Sequence, residues 1–322
     1  MSKAQILQEL LAGPVSGGSL SKRLGISRTA VWKAVELLRA DGFEIASLPS
    51  KGYQLVSVPD ILLPELIAPG GWSVVVYDSV DSTNNVAKSL ADGGARDMTA
   101  VLADVQTGGR GRSGKQFISE KGQGMYLTVI LRPKSGAKDV SFVTSLAAVA
   151  SRRAVEKVSG LDAKIKWTND LVINRKKICG ILTELSIEAE SGSIQYMVIG
   201  IGINCAKLSA DFPPELRKTV TSLEDEGKPV KRYELARAVL EELSAFFSDG
   251  EFTGDIAALL REYSENCITV GKDVMVLRGN KTKYGRAEGI DDRFALVVRY
   301  ENGETETVSS GEVSVRGMYG YV

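Results

Sequence analysis

Four glycines and three cations fall within the eight residues from 108 to 115, a combination that suits the binding of an anion. Glycine lets a backbone approach a ligand closely, and arginine offers a planar fork of donors that fits carboxylate or phosphate. We expect this loop to be mobile when empty and ordered around a bound anion. Two alternatives stay open on these residues alone: a flexible, solvated basic loop, and a Gly-Arg segment that binds RNA.

Two other stretches carry polar groups at the ends of predicted strands. Residues 166–170 read Lys-Trp-Thr-Asn-Asp, and Lys177 follows shortly after them. Residues 200–204 read Gly-Ile-Gly-Ile-Asn. The second stretch is not a dinucleotide-binding fingerprint, because the third glycine is absent and no βαβ unit is predicted to follow.

The chain contains no histidine. Serine triads, histidine acid–base catalysis and histidine-ligated zinc are therefore excluded. An enzyme of this composition must rely on positioning and cationic charge, with magnesium as a candidate aid. Phosphoryl and nucleotidyl transfer proceed in that way, because they need little covalent help from the protein.

Composition places the chain among ordinary globular proteins of two or three domains. It has 322 residues, 43% hydrophobic and 25% charged, and its 40 basic residues balance 40 acidic ones. An anion site must therefore be local. No signal peptide or membrane-spanning run is evident, and Cys179, Cys205 and Cys267 form no CxxC pair. We expect a cytoplasmic protein with buried, reduced thiols and no membrane partner.

The N-terminal pattern predicts a winged helix-turn-helix, which would position a second group of cations. Apolar residues follow a helical period from Ala4 to Leu11; Ser19 and Ser27 are predicted to cap two further helices, and a strand pair follows Gly42. The alternative is a helical oligomerisation or protein-contact module. The predicted DNA-contacting residues are Ser27, Arg28, Thr29, Trp32, Lys33 and Lys51.

Beyond a linker at residues 59–69, helices and strands alternate irregularly. The predicted elements are strands at 72–76, 125–132, 178–185 and 195–203 and helices at 140–158, 233–247 and 255–263, with a turn at Ser191-Gly192. Residues 81–84 precede a helix expected to begin near Asn85, where they could also serve as helix caps. Hairpins dominate, so we expect a mixed or largely antiparallel sheet, and short strands from Ile268 onward predict a small β-barrel.

Five motifs in one order resemble those of the biotin protein ligases, in particular the bifunctional type that also represses the biotin operon. They are DSTN at 81–84, Gln106, GRGRSGK at 109–115, KWTND at 166–170 with KICG at 177–180, and GIGIN at 200–204. Each motif alone is weak, whereas the ordered set is specific and the similarity covers nearly the whole chain.

The resemblance implies an α+β multidomain fold. A winged helix-turn-helix with its linker would occupy residues 1–64. A central mixed-sheet catalytic domain resembling class II aminoacyl-tRNA synthetases would occupy 65–267, and a small SH3-like β-barrel 268–322.

The resemblance also implies a two-step reaction that uses ATP, Mg²⁺ and biotin. Biotin and ATP give biotinyl-5′-AMP, and a lysine of the biotin carboxyl carrier protein of acetyl-CoA carboxylase then receives biotin. Other biotin-dependent carboxylases are further candidate acceptors. The adenylate would also act as corepressor, promoting a homodimer that binds operator DNA.

The same resemblance implies catalytic and binding roles for individual residues. Lys177, Arg110 and Arg112 are the expected catalytic cations, and Asp170 is a candidate ligand for Mg²⁺. The biotin site would comprise Ser82, Thr83, Asn84, Gln106, Arg110, Gly111, Arg112, Lys177 and Gly180. The nucleotide site would comprise Lys115, Phe117, Asn169, Asp170, Asn204 and Arg316.

Some positions depart from the family pattern. Thr168 replaces a usual proline, Phe117 a usual tryptophan, and Ser113 and Lys115 stand where arginines are common. Two rival functions stay open: a lipoate or octanoate protein ligase, although that class lacks the N-terminal module, and a small-molecule-sensing transcription factor without ligase activity.

Overall fold

A computed structural model describes residues 2–49, 51–133, 140–188, 193–248, 251–278, 281–309 and 312–315. The chain divides into two compact units, Met1–Ile67 and Ala68–Val322. The predicted turn at Ser191-Gly192 and the predicted nucleotide residue Arg316 lie outside the described residues. The finer division of the second unit at residue 267 stays a prediction.

The first unit is a three-helix bundle followed by a β-hairpin and a short fourth helix. Its elements are α1 (Ser2–Leu11), α2 (Gly17–Leu24), α3 (Arg28–Ala40), β1 (Glu44–Leu48), β2 (Gly52–Ser57) and α4 (Pro64–Ile67). Leu20, Val35 and Leu38 are fully buried and form part of its core. The hairpin after α3 supplies the predicted wing, so the winged helix-turn-helix architecture is confirmed.

The helix caps of this unit match one prediction and contradict another. Ser27 caps α3, because its Oγ accepts a hydrogen bond from the Ala30 backbone N–H at 3.1 Å. The prediction for Ser19 was wrong. The cap of α2 is Ser16, whose Oγ accepts from the Ser19 backbone N–H at 3.0 Å, because α2 begins at Gly17 and Ser19 already lies in its first turn.

A seven-stranded sheet forms the centre of the second unit. In chain order the strands are β3 (Ser73–Val80), β4 (Thr99–Gln106), β5 (Gly124–Leu131), β6 (Lys164–Lys166), β7 (Asp170–Ile173), β8 (Lys176–Ile187) and β9 (Ile194–Asn204). Their spatial order is β3-β4-β5-β9-β8-β7-β6. Only β3 and β4 pair in parallel within this sheet, so the mixed sheet is confirmed.

Four helices and a short hairpin accompany the sheet among the described residues of this unit. They are α5 (Thr83–Asp92), α6 (Val140–Ser159), α7 (Arg232–Ser244), β10 (Phe247–Ser248), β11 (Glu251–Phe252) and α8 (Ile256–Glu265). Helices α5, α6 and α7 pack against the sheet. Helix α6 packs against α7 and against β8, and buries Leu146 and Val149. Helix α5 begins at Thr83 rather than near Asn85, so the polar DSTN motif continues into the first helical turn.

An antiparallel five-stranded sheet contains the last of the described residues. Its strands are β12 (Asp273–Arg278), β13 (Lys281–Ile290), β14 (Leu296–Tyr300), β15 (Thr305–Val308) and β16 (Glu312–Val315), in the spatial order β15-β14-β13-β12-β16. Its SH3-like character, and the likeness of the central domain to class II aminoacyl-tRNA synthetases, stay predictions. Among the described residues, no helix is long and apolar enough to cross a membrane.

Candidate active site

The second unit contains a cavity of about 570 Å³ over one end of the central sheet. Every predicted biotin or nucleotide residue that the structure describes lines it. These are Ser82, Thr83, Asn84, Gln106, Arg110, Gly111, Arg112, Lys115, Phe117, Asn169, Asp170, Lys177, Gly180 and Asn204. Residues that are up to about 120 positions apart in sequence therefore meet around one space, although their individual roles stay predictions.

One part of the cavity lies against the first turn of α5. Gln106, at the end of β4, accepts hydrogen bonds at its Oε1 from the Thr83 backbone N–H at 2.9 Å and from Thr83 Oγ1 at 3.0 Å. Ser82 occupies the N-cap position but makes no side-chain capping bond, so the alternative capping role for it was wrong. Its buried hydroxyl instead lines the cavity.

A charged pair lies behind this region and holds Asn84. Asn84 Nδ2 donates to Glu184 Oε2 at 2.7 Å, and Lys88 Nζ donates to the other carboxylate oxygen at 2.8 Å. Burial raises the pKa of Glu184, but hydrogen bonds from Lys88 and Asn84 outweigh burial and leave this pKa below its ordinary value. Glu184 is therefore a charged anchor for the first turn of α5.

The glycines of the GIGIN motif give room for two side chains of the cavity. A Cβ at Gly200 would overlap the Asn84 side-chain oxygen, and a Cβ at Gly202 would lie 2.6 Å from the Phe117 ring. Both glycines lie in β9, which runs antiparallel to both neighbouring strands. Close side-chain approach therefore accounts for them, and the rejection of a dinucleotide fingerprint is confirmed.

The Gly/Arg loop closes on itself through backbone hydrogen bonds. Gly111 N–H donates to the Lys115 carbonyl at 2.7 Å, and a 3₁₀ turn spans Arg112–Gly114. Arg110 donates to the Asn85 side-chain oxygen, and Asn85 donates to Asp81. The hydrogen bond from Asn85 lowers the pKa of Asp81, so this carboxylate stays charged. The loop is thereby tied to the start of α5.

Cations and their partners gather in another part of the cavity. Lys177 Nζ lies 2.6 Å from Asp170 Oδ1, and Arg112 Nη1 donates to Asn169 Oδ1 at 3.2 Å. Lys177 lies across Gly180, because a Cβ there would come 3.0 Å from Nζ. This arrangement brings positive charge to a place where two anionic groups could meet.

Asp170 is the candidate metal ligand at this site. Within the described ranges, no group of three or more His, Cys, Asp or Glu side chains could hold a metal ion. A single carboxylate nevertheless fits a magnesium ion that arrives with a nucleotide, because such an ion keeps several waters and is bound mainly by phosphates.

The three cysteines are buried. Burial raises the pKa of the Cys179 thiol, which lies close to Lys177 in sequence, and also that of Cys267. A protonated thiol is a poor nucleophile, so these residues support the core rather than covalent catalysis.

The predicted DNA-contacting residues lie in the separate N-terminal unit. Arg28, Thr29, Trp32 and Lys33 are exposed in the first half of α3, and the Trp32 side chain is 52% exposed. Ser27 precedes the helix, and Lys51 is exposed at the tip of the hairpin. The structure therefore leaves all six residues accessible.

Comparison with known proteins agrees with this geometry. A helix-turn-helix family model (HTH domain) matches residues 3–54, the Biotin/lipoate A/B protein ligase family matches 76–204, and the Biotin protein ligase C terminal domain matches 269–316. The bifunctional ligase/repressor BirA of Bacillus spizizenii is 36% identical over 90% of both chains. The chain belongs to the biotin protein ligases of the bifunctional ligase/repressor type.

Two further members extend the similarity to another bacterium and to a solved structure. BirA of Escherichia coli is 29% identical over 94% of this chain and 92% of its own length. The structure of biotin protein ligase from Aquifex aeolicus in complex with biotin and ATP superposes with a TM-score of 0.62 at 26% identity, covering 76% of this chain and 98% of that one.

Several residues of this ligase-family cavity received no role from the sequence. Lys166 is only 8% exposed, and its Nζ donates to the Val313 carbonyl at 3.3 Å; both residues line the cavity. A lysine between two apolar residues, Ile165 and Trp167, was the available signal. Thr168 does not line the cavity itself; it follows a cis peptide bond, and its carbonyl accepts from Tyr263 Oη at 3.1 Å.

Proposed function

We propose that this chain activates biotin with ATP and transfers it to a lysine of a biotin carboxyl carrier protein, and that it represses transcription through its N-terminal unit. One observation carries the ligase proposal: a single cavity joins a neutral polar region at Thr83 and Gln106 to a cationic region at Lys177 and Arg112. That arrangement fits a ligand with a polar, uncharged head and a carboxylate tail.

In the first step the biotin carboxylate attacks the α-phosphorus of ATP and pyrophosphate leaves, giving biotinyl-5′-AMP. Two anions must approach each other, so positive charge lowers the barrier most where the new P–O bond forms. Lys177 serves this point, and Arg110 and Arg112 cover the ligand from the loop. The nucleotide is bound by Asn169, Asn204, Phe117 and Lys115. Asp170 would hold the magnesium ion that the nucleotide brings.

In the second step a neutral lysine amine of the carrier attacks the acyl carbon, the C–O bond to AMP breaks, and the amide nitrogen loses a proton. The mixed anhydride is prone to hydrolysis, so the loop must exclude water until the carrier arrives. The contact from Arg110 to Asn85 supports this closing role, because it ties the loop to the first turn of α5, whose residues Thr83 and Asn84 line the cavity.

For repression, we propose that α3 enters the major groove with Arg28, Thr29, Trp32 and Lys33, while Lys51 lies beside the backbone. The adenylate acts as corepressor by favouring a homodimer that spans a palindromic operator. Sedimentation with and without biotin plus ATP tests the dimer; an unchanged monomer–dimer equilibrium would exclude this mechanism.

Biotin-dependent ATP–pyrophosphate exchange on the purified protein tests the ligase proposal. We expect exchange with biotin and MgATP, and none with lipoate or octanoate in place of biotin. Exchange driven by lipoate or octanoate would instead support the lipoate-type alternative. If none of the three acids supports exchange, a small-molecule-sensing transcription factor without ligase activity is the better interpretation.

A further inference from the structure

A chain of four side-chain oxygens runs beneath the polar region of the cavity. Thr83 Oγ1 lies 3.0 Å from Gln106 Oε1 and 2.8 Å from Thr128 Oγ1, and Thr128 Oγ1 lies 2.7 Å from Asn84 Oδ1. Thr128 lies in the middle of β5, is fully buried and does not line the cavity itself. Its hydroxyl nevertheless links Thr83 to Asn84, and both of these residues line the cavity.

The two amides in this chain have only one favourable orientation each. Asn84 must direct its nitrogen toward the Glu184 carboxylate and the Leu182 carbonyl, because both are acceptors. Gln106 must direct its oxygen toward the Thr83 backbone N–H. Both amides therefore present their oxygens to the two threonine hydroxyls.

The four oxygens together have too few hydrogen-bond donors. Three oxygen–oxygen contacts exist, whereas the hydroxyls of Thr83 and Thr128 supply one proton each. One contact therefore joins two lone pairs, which is costly in a buried place. When both hydroxyls turn toward Gln106, Asn84 Oδ1 receives no proton from either threonine, and when both turn toward Asn84, Gln106 Oε1 loses the Thr83 hydroxyl proton. In either state a ligand N–H can donate to the end oxygen that is left open.

We propose that Thr128 is a positioning residue for the ligand head: its buried hydroxyl orients Thr83 and Asn84 so that this part of the cavity selects a head carrying N–H donors. The inference rests on the proposed biotin ligase function, since the ureido ring of biotin carries two such groups. The Ser82 hydroxyl, which makes no capping bond, is available for the ureido carbonyl.

Thr128→Val tests this role because it removes the hydroxyl at nearly constant volume. We expect the KM for biotin in pyrophosphate exchange to rise by about tenfold or more, the usual consequence of leaving a buried polar group unpaired, with kcat and the KM for ATP unchanged. Thr128→Ser restores the hydroxyl and should restore the KM. The matched control is Thr144→Val, which breaks a partly buried Thr–Thr contact to Thr183 of 2.8 Å outside the cavity.

A second measurement on the unmodified protein does not depend on how the variants fold. Calorimetry should show tight binding of biotin and of desthiobiotin, which keeps both N–H groups, and binding weaker by about tenfold or more for biotin methylated on a ureido nitrogen.

Equal affinity for the methylated analogue, or an unchanged biotin KM in Thr128→Val, would overturn the inference while leaving the ligase proposal intact. Absence of exchange in the unmodified protein would overturn the proposed function, and the inference with it.

Discussion

Lys177 Nζ and Asp170 Oδ1 lie 2.6 Å apart at the edge of the cavity, where the β7–β8 hairpin brings the two residues together. The lysine is therefore held by a side chain of the protein itself. Its backbone is fixed as well, because Lys177 N–H donates to the Thr219 carbonyl at 2.8 Å and its own carbonyl accepts from Thr221 at 2.9 Å. Such preorganisation is what makes a charge effective in a transition state.

Lys177→Ala should lower the rate of adenylate formation by roughly 10²-fold or more, the usual cost of removing one preorganised charge. Single-turnover formation of biotinyl-5′-AMP measures it. Lys176→Ala is the matched control, since this neighbouring lysine does not line the cavity. A Lys177→Ala variant with near-normal synthesis would show that the lysine is not catalytic.

Arg110→Ala should mainly accelerate escape of the adenylate, because it removes the contact between the loop and Asn85. Asn85→Ala should have a similar effect, and the double variant should be little worse than either single one, since both remove the same contact. The rate at which bound adenylate leaves the protein after rapid dilution measures this effect. An unchanged release rate in Arg110→Ala would argue against a closing loop.

Gly202→Ala should raise the KM for ATP by roughly tenfold, because its methyl group would displace the Phe117 ring and overpacking costs about 1–3 kcal/mol. Biotin binding should change much less. Gly289→Ala is the control, because a Cβ there has open space around it. If Gly202→Ala weakens biotin and spares ATP, Phe117 does not serve the nucleotide.

Glu184→Gln should lower thermal stability at neutral pH by a few degrees and lose this effect in acid. The pKa of Glu184 is lowered in the folded protein, so its contribution is present above the unfolded value of about 4.3 and is lost as pH falls through the folded pKa. Melting curves from neutral pH to strong acid measure the difference.

Glu288→Gln, which breaks an exposed pair with Arg299, should have a smaller effect on stability than Glu184→Gln at neutral pH. If the melting temperatures of Glu184→Gln and of the unmodified protein differ by the same amount in acid and at neutral pH, Glu184 is not the charged anchor described above.

Lys33→Ala should weaken operator binding and reduce the salt dependence by about one ion, as expected for loss of one phosphate contact. Pyrophosphate exchange should be unaffected, because Lys33 lies in the separate N-terminal unit. Lys228→Ala, in the second unit, is the control. Titrations of operator DNA at several salt concentrations measure this dependence. An unchanged slope of affinity against salt would show that Lys33 does not contact DNA.

Local signals predicted much of the fold. The three N-terminal helices follow from apolar periodicity, and Ser27 caps α3 as expected from its position. The start of α5 was predicted less well, because its first backbone N–H is satisfied by Gln106, more than twenty residues away. No local pattern in residues 81–85 contains that information.

The candidate site was predicted from ordered motifs rather than from single residues. Motifs identify the side chains that face a ligand, and the structure gathers them around one cavity. Glu184 was not predicted as a site residue because it lies in β8 beyond the KICG motif. Thr128 was not predicted because it lies within the largely apolar strand β5, where the pattern predicts core. The available signal was a hydroxyl inside a strand that is buried throughout.

The indole of Trp167 has a consequence for protein engineering. Its Nε1 donates to the Phe294 carbonyl at 3.0 Å, and its backbone N–H donates to Thr269 Oγ1 at the same distance. A fragment truncated after residue 267 would lack both of these acceptors. Trp167 would then lose two hydrogen bonds, although it belongs to the KWTND motif and follows Lys166 directly. A minimal biotinylating tool made from this chain should therefore retain its last sheet and shed only the N-terminal unit.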